Sequence, residues 1–103
     1  MSKYKNVKTT IDGITFDSKK ESARYAELKL LAKSGLIQNL CLQVPYVLIP
    51  KQDGERAVKY IADFVYDENG ETVVEDVKGV RTDVYRLKKK LMLKVHGLRI
   101  KEV

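Results

Sequence analysis

The sequence predicts an α/β fold, a small mixed sheet flanked by helices, on three observations. Strand-like runs at 40–49, 60–67 and 72–78 follow one another between two stretches of helical apolar spacing. An Asn-Gly pair between two β-rich runs marks a tight hairpin. The 103-residue length leaves room for one core and little for a second. The expected order is a leading hairpin, then αβββαβ. It forms one domain over 1–103, with residues 1–16 as an N-terminal hairpin extension.

Each element has its own signal. Residues 7–16 place Asp12-Gly13 between Ile11 and Ile14, a short hairpin expected to pack over the first helix. That helix opens at the capping box Ser18-Lys19-Lys20-Glu21 and ends near Lys33, before Gly35. Its inward stripe is Glu21, Tyr25, Leu28 and Ala32. From Leu40 to Ile49, apolar residues alternate with Cys41, Gln43, Pro45, Val47 and Ile49, and Pro45 marks an edge position or bulge. Pro50 to Glu55 is a turn. Tyr60 to Tyr66 is nearly continuous in apolar residues, the pattern of a strand covered on both faces. Val84, Leu87, Leu91 and Val95 give the second helix its apolar spacing up to Gly97, and Leu98 to Val103 alternates as a closing strand.

Strand counting then brings two acids together. If Asn69 and Gly70 form a two-residue loop, Glu68 faces Glu71, and the same register carries Asp63 opposite Asp76. Like charges directly opposed on a sheet face are destabilising, so something must offset them, most simply a divalent cation. Alternation puts Lys78 on the face of Asp76 and turns Glu75 and Val77 the other way. Asp63 also interrupts an apolar strand, where acids are rarely tolerated unless paired or bound to metal. Glu21 heads the inward helical stripe, either as a cap alone or as a third carboxylate. Gln43 either satisfies neighbouring backbone or reaches the same site.

Composition bounds the chemistry. With 44% hydrophobic and 33% charged residues the chain reads as soluble and globular. It has no bilayer-length apolar run and no signal-peptide stretch, so an intracellular, cytoplasmic location is expected. Cys41 and His96 are single, which excludes an internal disulfide and a Cys/His zinc framework; any metal should be hard and oxygen-ligated. The net charge of +6 points to a polyanionic partner. Eight Lys or Arg residues lie between Gly79 and Lys101 against one acid, Asp83. Arg81, Tyr85, Lys88 and Lys89 are the candidate nucleic-acid contacts there, with Tyr85 able to stack on a base or sugar. Lys3, Lys5 and Lys8 add a second basic segment. A solvated lysine face is the plainer account of these charges, and the helix dipole accounts for His96 without a general-base role.

With Glu21 on the first helix, Asp63 on the second core strand and Asp76-Val77-Lys78 on the third, the chain resembles the PD-(D/E)XK nuclease superfamily. The segments 12–21 and 74–79 look like a small phage-encoded branch, similar to Holliday junction resolvases and to transposition endonuclease subunits. Ala62 stands where a proline precedes the first acid in that pattern. The resemblance implies a restriction-endonuclease-like core and a phage or prophage protein in a bacterial host. It implies that Asp63, Asp76 and the Val77 carbonyl bind Mg²⁺ or Mn²⁺, with Glu21 completing the set and Lys78 orienting the attacking water. The activity implied is metal-dependent endonucleolytic cleavage of DNA, duplex or branched, with a homodimer and a phage replication or recombination partner as expected associations. The alternatives are a non-catalytic nucleic-acid-binding module and a catalytic subunit that needs a specificity partner.

Overall fold

A computed structural model describes residues 8–103. Val7 and the basic residues Lys3 and Lys5 lie outside the described residues. Two strands, β1 (Thr9–Ile11) and β2 (Ile14–Phe16), form the leading hairpin, paired Ile11 to Ile14 across Asp12-Gly13. Both turn residues have positive φ, the conformation that a two-residue primed turn requires. The hairpin is a sheet of its own and lies on α1 (Lys19–Lys33), as expected. The Phe16 and Tyr25 rings meet at 5.1 Å, while Lys29 and the Tyr25 hydroxyl both donate to Asp12.

The main sheet has the order β3-β4-β5-β6, with β3 (Gln38–Ile49), β4 (Val58–Glu68), β5 (Glu71–Asp76) and β6 (Ile100–Glu102). The first two pairings are antiparallel and the last is parallel, so the predicted mixed α/β architecture is the observed one. Pro45 sits on β3, an edge strand, where a missing N–H costs no ladder bond. Asn69 and Gly70 form the two-residue loop, both at positive φ, with Glu68 facing Glu71.

Two apolar clusters fill the interior. Tyr25, Leu28, Phe64 and Tyr66 pack on the α1 side; Leu48, Tyr60, Ala62, Val74, Tyr85 and Met92 form the other cluster. Along β4 the buried residues change cluster between Ala62 and Phe64, at Asp63. The expectation that both faces of this strand are covered holds only in part, since Ile61 is 54% exposed.

The second helix departs further from expectation. It comprises α2 (Asp83–Leu91), capped by the Thr82 hydroxyl accepting from Tyr85 N, and continues into a π-helical turn, Met92–His96, closed by Gly97 at positive φ. Its buried residues are Tyr85 and Met92. Three of the four residues that carry the apolar spacing face outward: Val84 is 63% exposed, Leu87 58% and Val95 48%. The wider side chains take the inward positions, and the π turn shifts the face after Leu91. Among the described residues no helix is long and apolar enough to cross a membrane.

Candidate functional site

A cleft of about 860 Å³ opens between the N-terminal end of α1, β4, the end of β5 and the start of α2. Its lining includes Glu21, Asp63, Asp76, Val77, Lys78 and Lys88. Four elements distant in sequence thus converge as the residue pattern predicted.

The hairpin register sets the acids. The β4–β5 ladder ends at Phe64 and Glu75, and the next pair in the same register is Asp63 with Asp76. Freed from the ladder there, Asp63 turns one oxygen to the Val77 amide, which donates at 2.8 Å. Val77 therefore meets Asp63 through its N–H. Asp76 is buried, accepting from the Tyr60 hydroxyl at 2.5 Å and ion-pairing with Lys78 Nζ at 3.0 Å. Alternation holds beyond the ladder: Glu75 points the other way, fully buried, where Arg24 donates to both its oxygens and Tyr66 donates its hydroxyl.

Gln43 answers the question left open for it. It sits opposite Asp63, its amide nitrogen 3.3 Å from Glu21 Oε1 and 3.5 Å from Asp63 Oδ1. Its φ of 53° is in the left-handed region, uncommon for a residue with a side chain, and such strain gathers at sites where placement matters. The side chain bridges two acids in the cleft and does not serve neighbouring backbone. Glu21 is likewise more than a cap: Ser18 Oγ accepts from its amide at 3.1 Å, leaving the carboxylate to Gln43.

Electrostatics records the crowding. Burial pushes Glu21 up to about 7, reinforced by the charges of Asp63, Asp17 and Asp76. Burial also raises Asp63, with Asp76 adding to it, against the opposing Val77 amide, Gln43 and Lys78. Glu75 is the contrast: burial raises it, but hydrogen bonds from Arg24 and Tyr66 outweigh that and hold it below the ordinary carboxylate range.

The basic helix contributes differently from expectation. Tyr85, expected to stack on a base or sugar, is 7% exposed, buried in the lining of the cleft. Its ring carries the Lys78 ammonium 3.8 Å from the centroid, and its hydroxyl donates to Glu102 at 2.8 Å. Glu102 also gathers Arg81 at 2.9 Å and Lys89 at 3.3 Å. Hydrogen bonds from Tyr85, Arg81 and Lys89 hold Glu102 down at about 2. Both cations are thus partly neutralised, whereas Lys88 lines the cleft with no ion pair among the described residues.

Sequence reasoning missed Tyr60, Arg24 and Lys20. Strict alternation puts Tyr60 on the opposite face from Asp63, yet both line the cleft because β4 changes cluster at Asp63. Arg24 lies one helical turn beyond Glu21, a spacing that could have flagged it. Lys20 donates to the Lys78 carbonyl at 2.8 Å, a long-range contact with no local signal.

Three acids that repel one another, beside a lysine, are a donor set suited to a hard divalent cation held by oxygens. As they stand, no three Asp, Glu, His or Cys side chains among the described residues are gathered closely enough to enclose an ion. Lys78, the Val77 amide and Gln43 balance the carboxylates instead.

Fold and cleft define a small α/β domain with a carboxylate–lysine site where the central strands diverge. Residues 1–102 match the model of a family described as "Protein of unknown function (DUF1064)", and the chain belongs to that family. No curated protein and no solved structure matches it significantly.

Proposed function

We propose that the chain is a metal-dependent endodeoxyribonuclease of the PD-(D/E)XK kind. The observation that carries this reading is the meeting of Asp63, Asp76 and Lys78 with Glu21 in one cleft, from α1, β4 and the end of β5 with the residues that follow it. Asp63, Asp76 and Glu21, with the Val77 carbonyl, would hold Mg²⁺ or Mn²⁺. When bound, such an ion acidifies water and neutralises charge on the phosphate.

The chain's own residues do the rest. Tyr60 fixes one oxygen of Asp76. Lys78, held against the Tyr85 ring, brings a cation to the acids, where it orients the attacking water and offsets charge growing on the phosphoryl oxygens. Gln43 keeps Glu21 and Asp63 in mutual register. Lys88 supplies a phosphate contact at the cleft wall.

A second reading has one observation in its favour: Lys78 and the Val77 amide already satisfy the acids, as a non-catalytic nucleic-acid-binding domain would require. Cleavage of labelled linear, single-stranded, flap and four-way-junction DNA, with and without Mn²⁺, separates the two. Metal-dependent cutting lost in Asp63→Asn supports the nuclease; salt-dependent binding indifferent to metal and to Asp63→Asn supports the binding module.

A further inference from the structure

The cleft has an apolar wall that metal binding and phosphate gripping leave unused. Ile61 of β4, Val80 in the segment before α2 and Val84 in its first turn all line it, and each is more than half exposed. Solvent-facing aliphatic groups grouped in one cleft mark a binding surface. Four lysines share the lining, Lys20, Lys59, Lys78 and Lys88.

We infer that this wall receives the face of an unpaired base, so that the substrate is DNA with unstacked nucleotides at the cut. The inference rests on the nuclease reading and names its substrate class. An intact duplex presents phosphates and sugars to a cleft and keeps its base faces stacked, so three aliphatic side chains would meet polar backbone there. A strand with unpaired bases offers both surfaces at once: phosphates for the lysines and a flat apolar face for Ile61, Val80 and Val84. The charge pattern fits the same occupant, since Lys59 and Lys88 make no ion pair among the described residues.

The test is fluorescence anisotropy in EDTA with three labelled DNAs: a perfect duplex, the same duplex with a short unpaired bubble, and a single strand. Wild type should bind the bubble and the single strand about tenfold tighter than the duplex. Ile61→Ser and Val84→Ser should erase that preference, while Lys88→Ala weakens all three alike. Val80→Ser, outside any helix or strand, serves as the variant least able to disturb folding. Equal affinities, together with Mn²⁺-dependent cutting of the duplex, overturn the inference and leave the nuclease standing. A bubble preference without cutting under Mn²⁺ supports base binding at this wall but overturns the nuclease, and with it the claim about the substrate. No binding to any DNA overturns both. Sedimentation of the same variants covers the rival occupant: if Val84→Ser splits a dimer and leaves discrimination unchanged, a second copy covers this face and the inference falls.

Discussion

Lys78 has two partners at once, an Asp76 oxygen at 3.0 Å and the Tyr85 ring at 3.8 Å, so its ammonium is aimed and not merely present. Lys78→Ala should abolish cleavage with the circular dichroism spectrum unchanged. Asp63→Asn and Asp76→Asn should do the same; at Asp63 the loss of like-charge repulsion should also stabilise the metal-free protein, read as a rise in Tm. Tyr85 separates its two jobs by substitution. Tyr85→Phe keeps the ring under Lys78 and should retain most activity, whereas Tyr85→Leu should lower kcat with little change in KM, because the lysine loses its platform. If both variants cut alike, the ring does not position Lys78. At this scale the acids and Lys78 were legible because strand alternation and a two-residue turn fix their faces. Tyr85 was not: a tyrosine on a lysine-rich helix reads as a surface group until its helix is docked.

The Asn69-Gly70 hairpin was readable to the residue, since a two-residue turn admits one register and one set of facing pairs. The orientation of α2 was not, because apolar periodicity names a stripe but not what competes with it. Tyr85 and Met92 fill the core, and Val84, Leu87 and Val95 are left outside. Between α1 and β5 the Arg24–Glu75 pair joins two elements across the core, with Glu75 fully buried. Removing one partner of such a pair strands a charge. Arg24→Ala should therefore cost about 3 kcal/mol in urea unfolding, and the double change Arg24→Met/Glu75→Met should recover most of it. A loss below about 1 kcal/mol for Arg24→Ala would mean that the pair does not tie α1 to the sheet.

For the molecule as a whole, the cleft makes the metal-free protein sensitive to pH in a defined direction. Glu21, raised to about 7, and Asp63, also raised, bind protons more tightly when folded than when unfolded. Stability should fall as pH rises from the ordinary carboxylate range to about 7 and level off above it. Glu75 and Glu102 are lowered, so their contribution is present above the ordinary carboxylate range and is lost as pH falls through their folded values. The metal-free Tm should peak near pH 5, and Glu21→Gln should flatten the alkaline side of that curve. At about pH 8, Mg²⁺ or Mn²⁺ should raise Tm in wild type and not in Asp63→Asn/Asp76→Asn, because only the acids' charge repulsion gives the ion something to relieve. The measurement that bears most directly on the central claim is cleavage of the labelled DNA panel with Mn²⁺, wild type against Asp63→Asn/Asp76→Asn. Metal-dependent strand cutting by wild type, absent from the double variant, is the predicted result; DNA held in a salt-dependent complex and left intact under every metal would contradict it.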